Sequence, residues 1–274
     1  MNKLKNIPYG VSDFSLIKKE NEYYVDKTMY IPELEKSKFT FLIRPRRFGK
    51  SLFLSMLQGY YDVRYRDRFA EYFKDTWILQ NETENRGKYL CIYLDFSGVR
   101  MDPEELDNNF NKYCIIKIDA FLHFNKNYLS EDIINKASQE TLAHEKLNII
   151  TTYLTDTDHR LYLFIDEYDN FTNTIISDYG TETYEKLTHG AGNFKNFFKM
   201  LKSCTSGMQS GLERLFITGV SPITMDDVTS GFNIGTNISL DERFNAILGF
   251  NESEVQDILD YYLTDKKVIY RKRL

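Results

Sequence analysis

An α/β fold, with a mainly parallel central sheet covered on both faces by helices, is the class this sequence predicts. Three observations carry it. Four short runs, Phe39 to Ile43, Tyr89 to Phe96, Leu161 to Ile165 and Leu215 to Val220, are apolar at consecutive positions and bounded by polar residues, the pattern of strands buried on both faces. Between them lie longer stretches with apolar residues at helical spacing, and that alternation belongs to parallel sheets with crossover helices. With 274 residues, 42% hydrophobic and 27% charged, the chain has the composition of a packed protein and the length for one large core. Disordered, collagenous and repeat-built readings are thereby excluded.

Taken in order, residues 1–37 form a segment ahead of the first strand, with helix starts at Ser12-Asp13 and at Asp26-Lys27-Thr28. Asp26 or Thr28 is suited to cap a helix running to about Lys36. The strand Phe39 to Ile43 is followed by a helix from Lys50 to about Tyr61, with Leu52, Phe53, Met56, Leu57 and Tyr60 on one face. Helical spacing recurs over about Asp102 to Lys126, Ser130 to Thr155 and Gly192 to Ser203. Asn251-Glu252-Ser253-Glu254 is a cap-x-x-Glu start for an amphipathic helix through Val255, Ile258, Leu259 and Tyr262. The expected division is an N-terminal segment 1–37 packing on a core 38–250, then 251–274 as the start of a helical lid that is cut short by a basic tail, Lys266, Lys267, Arg271, Lys272 and Arg273.

Charge and residue usage narrow the function. There are 35 Lys and Arg against 40 Asp and Glu, a net charge of −5, which disfavours bulk attraction to nucleic acid or anionic membrane but leaves a local basic groove open. Cys91, Cys114 and Cys204 form no C-x-x-C pair, so a reducing compartment is expected. No signal peptide or membrane span is readable, and the expected location is the cytoplasm. The 20 Tyr and 20 Phe scatter along the chain, which favours core packing over a base-stacking surface. His123, His144, His159 and His189 stand apart from partners suited to zinc, haem or a hydrolase triad.

The chemistry concentrates in Arg44-Pro45-Arg46-Arg47-Phe48-Gly49-Lys50-Ser51, between the first strand and its helix. Only the second half of G-x-x-x-x-G-K-[ST] is literal, Arg44 standing where the first glycine would. A Gly-Lys-Ser/Thr triplet arises by chance in about one chain in seven of this length at average residue usage, so the strand–turn–helix setting carries the weight. In that setting consecutive N–H groups at a helix N-terminus cradle an anion. Lys50 would reach the phosphates, Ser51 would ligate Mg²⁺, and Gly49 would let the backbone approach. A second element, Leu161 to Glu167, is an apolar strand ending in Asp166 and Glu167, the first suited to the metal and the second to polarising water. Both elements would emerge at the carboxyl edge of one sheet. Thr218, with Ser221 second, is the polar candidate at the tip of the strand Leu215 to Val220; Asp169 reads equally as a helix cap, and Asp95 and Ser97 read first as turn residues.

Pro8-Tyr9-Gly10-Val11-Ser12-Asp13-Phe14, Tyr24-Val25-Asp26-Lys27-Thr28, Arg44 to Ser51, Phe164-Ile165-Asp166-Glu167-Tyr168-Asp169 and Ile217-Thr218-Gly219-Val220-Ser221-Pro222 occur in one order. In this the chain resembles the bacterial AAA-ATPase-like family over about residues 5 to 263. The resemblance implies an AAA-type P-loop NTPase, a three-layer sandwich with a truncated helical lid. It places Gly49, Lys50 and Ser51 at the phosphates and Asp166 and Glu167 at the metal and water. Together with the reading of the residues, the expected site is Arg47, Phe48, Gly49, Lys50, Ser51 and Leu52 for ATP, Ser51 and Asp166 for Mg²⁺, and Glu167, Lys50 and Thr218 for catalysis, Thr218 reading equally as a threonine satisfied within the sheet. The resemblance further implies Pro8 and Tyr9 near the adenine. Relatives carry a C-terminal domain similar to PD-(D/E)XK nucleases; this chain has no Pro-Asp pair, and its one Asp-x-Lys string, Asp265-Lys266-Lys267, sits in the basic tail, so no nuclease activity is assigned. Arg214 and Arg243 are candidates for a charge-completing arginine, and Arg46 and Arg47 for phosphate, another domain or nucleic acid. The function expected is Mg²⁺-dependent ATP hydrolysis that drives a conformational change in a partner or C-terminal domain, with oligomerisation open. Two alternatives stand beside it, a nucleotide-dependent regulatory module without turnover, in defence or mobile-element biology, and a DNA-binding ATPase.

Overall fold

The computed structural model describes residues 4–102, 104–189, 192–204, 210–221 and 235–263. Strands β1 (Phe39–Ile43), β2 (Tyr89–Asp95), β3 (Arg160–Asp166), β4 (Leu212–Gly219) and β5 (Thr236–Asn237) form one sheet in the order β2-β3-β4-β1-β5, every pair parallel. Helices cover both faces, which makes the fold α/β and consistent with a P-loop NTPase.

Alternation along each strand assigns the faces. Leu90, Ile92 and Leu94 of β2, Leu161, Leu163 and Ile165 of β3 and Leu215 and Ile217 of β4 enter one core, packed under helices α5 (Leu106–Phe124), α7 (Ala143–Leu154) and α9 (Asn193–Cys204). Their neighbours Tyr89, Cys91, Tyr162, Phe164 and Phe216 point the other way. There they meet α3 (Lys50–Tyr61) and the segment ahead of β1, which carries α1 (Phe14–Lys19) and α2 (Ile31–Leu34). This second face is built on rings: Tyr61 lies 5.1 Å from Tyr162 and 5.9 Å from Tyr89 between centroids. The first of these pairs is tilted and the second edge-on; such pairs add to the burial term, and they place these aromatics in the core as expected.

Several elements follow their sequence pattern closely. Strand β1 and helix α3 have the expected bounds, and β2 ends at Asp95, where a 3₁₀ turn, Phe96–Gly98, takes over. Asp13 caps α1 by accepting from the Leu16 N–H. At the last described helix, Glu252–Leu263, Asn251 Oδ1 accepts from Glu254 N and Glu254 Oε2 accepts from Asn251 N, a reciprocal capping box.

Other expectations need correction. The stretch Ser130 to Thr155 is two helices, α6 (Glu131–Gln139) and α7, because Glu140 is extended and takes the N–H groups of Thr141 and Leu142 on its own side chain. Asn111 then reaches across from α5 to accept from Ala143 N and start α7. Asp26 and Thr28 do not cap one helix to Lys36. Only a 3₁₀ turn, Thr28–Tyr30, and the single turn of α2 form: Asp26 Oδ1 accepts from Thr28 N at the start of that turn, while Asp26 Oδ2 and Thr28 Oγ1 accept from Trp77 N and Ile78 N of a neighbouring 3₁₀ turn, Trp77–Gln80. Helix α4 (Phe69–Tyr72), helix α8 (Tyr168–His189, kinked at Gly180) and the two-residue strand β5 were not anticipated. Pro222 and the basic tail from Asp265 onward lie outside the described residues.

Candidate functional site

The parallel register brings the tips of four strands to one edge. Ile43 pairs with Gly219, Asp95 with Asp166, and Ile165, just before Asp166, with Ile217, just before Thr218. Strand β4 thus lies between the strand that feeds the loop 44–49 and the strand that ends in the carboxylates. Residues more than a hundred positions apart meet here for that reason.

The loop turns through two left-handed residues, Arg47 (φ 68°) and Gly49 (φ 88°), and runs into α3 at Lys50. Left-handed backbone costs a residue with a Cβ about 1–2 kcal/mol, which is why glycine suits position 49. An added Cβ there would meet nothing within 4 Å, so the space above it is open. The first N–H groups of α3 have no intrahelical acceptors, as at any helix start. Lys50 is 5% exposed, and its Nζ donates to the Arg44 and Pro45 carbonyls, both at 3.1 Å. The ammonium is folded across the loop it would share with an anion.

Arg44, in the place of the missing glycine, points elsewhere. Its guanidinium donates to the carbonyls of Ile43 (3.0 Å), Ser239 (2.6 Å) and Phe244 (3.4 Å), tying the end of β1 to the chain after β5.

Asp166 is fully buried and accepts from four donors. Oδ2 receives Ser51 Oγ at 2.5 Å and Tyr93 OH at 2.8 Å; Oδ1 receives Thr218 Oγ1 and, at 3.0 Å, its neighbour's amide, Glu167 N. Tyr93 was not singled out from the sequence, because a tyrosine inside an apolar strand carries no motif. Burial, then the charge of Asp166, pushes the Tyr93 phenol well above its ordinary pKa, so its proton stays to be donated. Glu167 takes a left-handed backbone (φ 50°) that swings it out of the strand line. Burial, then the charge of Asp166, raises its carboxyl pKa, with Lys50 and Arg46 pulling the other way.

The remaining candidates fall in place around this centre. Asp169 accepts from the amides of Val220 and Ser221, and Tyr168 OH donates to the Ser221 carbonyl at 2.5 Å, so both fasten the chain beyond β4 to the start of α8. Gly219 is what permits it, since a Cβ there would stand 2.3 Å from the Tyr168 ring. Asp95 accepts from Ser97 N in a turn. Arg214 is a correction: it lies toward the amino end of β4, opposite the loop, and donates to Tyr89 OH and the Ser37 and Glu35 carbonyls. Arg243 is exposed and paired with Asp241 and Glu33. Among the described residues no three His, Cys, Asp or Glu side chains gather as a metal cluster, and no helix is long and apolar enough to cross a membrane.

Beside the loop opens a cavity of about 670 Å³. Arg47, Phe48, Gly49 and Leu52 form one wall, Pro8 and residues 23–25 a second, and Leu248, Phe250, Val255 and Ile258 a third. Tyr9 is 97% exposed and is not part of this lining. The second and third walls are locked together. Buried Lys27 donates to the Ala246 carbonyl at 2.8 Å and to Glu254 at 2.5 Å, while Lys5 N donates to Tyr261 OH and Tyr262 OH to the Lys5 carbonyl.

An all-parallel α/β sheet, with a glycine-turned loop beside a half-buried serine hydrogen-bonded to a buried aspartate, is consistent with a P-loop NTPase-like fold. The Predicted AAA-ATPase family matches residues 8–229, and the chain belongs to that family. It is similar to an uncharacterized protein in the vnfD 5′ region of Azotobacter chroococcum mcd 1, 26% identical over 270 residues. That match takes in 93% of this chain and 45% of the relative, so the chain spans less than half the relative's length. No solved structure matches the chain.

Proposed function

We propose that the chain binds ATP with Mg²⁺ and hydrolyses it to drive a conformational change in a partner or in a C-terminal domain. The observation that carries this reading is the Ser51–Asp166 contact of 2.5 Å directly beneath the Lys50 loop. A hydroxyl and a carboxylate held side by side are hard oxygen donors of the kind Mg²⁺ takes, and the open space above Gly49 admits phosphate oxygens. The residues therefore fit both groups.

When bound, Mg²⁺ would supply positive charge where charge develops on the transferred phosphoryl group. The chain supplies the rest. Lys50 exchanges its two carbonyl acceptors for phosphate oxygens, and the loop amides and first turn of α3 bind and orient them. Glu167, set apart from Asp166 by its left-handed turn, accepts the proton of the attacking water at its carboxylate, for which a raised pKa suits it. Thr218 holds Asp166 through Oδ1. Pro8 and the apolar walls of the cavity receive the base. Because that cavity is walled by the N-terminal segment and helix Glu252–Leu263 together, occupancy is felt by elements outside the sheet.

Phosphate release and nucleotide binding with Mg·ATP, for the wild type, Lys50→Ala and Glu167→Gln, test the reading. Turnover by the wild type, loss of binding in Lys50→Ala, and binding without turnover in Glu167→Gln are expected. Binding without turnover in the wild type would instead make the chain a nucleotide-gated module.

A further inference from the structure

The phenol of Tyr93 reaches the site from β2, the strand on the other side of β3 from β4 and β1, and meets Asp166 Oδ2 beside the Ser51 hydroxyl. We propose that Tyr93 is a positioning residue for the cation-binding pair: it fixes Asp166 Oδ2, the oxygen Ser51 also uses, and so keeps the carboxylate in place when the Ser51 hydroxyl turns from it to a divalent cation. The inference rests on the Mg·ATP reading given above and names a residue that reading does not need.

The argument is an inventory of acceptors. A carboxylate offers about four acceptor sites on its two oxygens, and Asp166, without solvent exposure, has four donors: three hydroxyls from α3, β2 and β4, and one backbone amide. Three of these are anchored away from the loop. Only Ser51 belongs to the element that would carry phosphates, so Ser51 is the donor whose geometry must change when a cation arrives. Tyr93 then remains as the fixed bond on Oδ2, as Thr218 and Glu167 N remain on Oδ1. Without it, Oδ2 would depend on Ser51 alone, and the carboxylate would follow the serine. Tyr93 is itself held: the next strand residue but one, Asp95, donates its N–H to Tyr113 OH at 3.0 Å, which pins the tip of β2 to α5. Groups that orient a metal ligand in this way are worth about ten- to a hundredfold in metal affinity.

The test is Tyr93→Phe in the full chain, a change of one oxygen atom that keeps the ring in its packing. ATP affinity is measured by calorimetry in EDTA and over a Mg²⁺ titration, with phosphate release followed over the same titration. The expected result is an unchanged affinity in EDTA and a midpoint of the Mg²⁺ dependence raised about ten- to a hundredfold, with turnover recovered toward the wild-type rate at saturating Mg²⁺. Tyr113→Phe, which loosens the strand tip that carries Tyr93 but keeps the phenol on Asp166, should raise the Mg²⁺ midpoint by a smaller factor than Tyr93→Phe; an equal rise would assign the effect to the strand tip and overturn the inference. An unchanged midpoint in Tyr93→Phe overturns the inference while the nucleotide reading stands. Equal loss of affinity with and without Mg²⁺ also overturns it, since that is the mark of a general structural role. If the wild type shows no Mg²⁺-dependent ATP binding, both readings fall together.

Discussion

Glu167 concentrates several consequences in one residue. Its carboxyl is pushed above its ordinary pKa by burial and by Asp166, and a base must be ionised to accept a proton. Turnover should therefore fall, as pH falls, through a higher value than an exposed glutamate would show, and a pH–rate profile checks this. The same shift has a sign for stability. The folded state holds this proton more tightly than the unfolded one, so the contribution is present at low pH and lost as pH rises through the folded pKa. At neutral pH the charge thus works against the fold, and Glu167→Gln should melt at a higher temperature than the wild type near pH 7 while losing turnover. The carboxylate pair and the Gly-Lys-Ser triplet were legible because their chemistry is written in consecutive residues. Tyr93 and the buried role of Arg214 were not, since each depends on which strand lies beside which.

At the scale of elements, the departure at Arg44 from the glycine pattern has a structural reason. Its guanidinium ties β1 to the segment 239–244 through backbone carbonyls. Restoring the literal motif with Arg44→Gly should destabilise the chain by about 1.5–3 kcal/mol, the range for hydrogen bonds to a charged group, without tightening nucleotide binding; denaturant unfolding and calorimetry read the two effects. Glu254 plays two parts, closing the capping box of its helix and neutralising buried Lys27. Glu254→Ala leaves Lys27 without its carboxylate, and removing one partner of a buried pair costs about 3–5 kcal/mol; a lowered melting temperature together with weaker ATP binding is expected, because Lys27 lines the cavity. Strands and α3 were legible from periodicity. The break between α6 and α7 was not, because the cap that starts α7 is Asn111, thirty-two residues away.

Over the whole molecule, the sheet order explains why distant motifs cooperate: β4 spaces the loop strand from the carboxylate strand and contributes Thr218 between them. The α/β class followed from apolar runs alternating with helical stretches, but the order of strands, including two-residue β5, is a property of long-range pairing that no local pattern encodes. The cavity wall is likewise a whole-chain feature, made by residues near 7, 24, 48 and 248 together. A ligand that binds only the folded state stabilises it by mass action, by about 2.7 kcal/mol at a hundred times its dissociation constant. Mg·ATP should accordingly raise the melting temperature of the wild type and of Glu167→Gln, and leave Lys50→Ala unchanged. The central claim, that this loop holds nucleotide phosphates, is tested most directly by calorimetric titration of Mg·ATP into the wild type and Lys50→Ala. One saturable site per chain, abolished by the substitution, is the result predicted; no binding by the wild type, or equal binding by both, would contradict it.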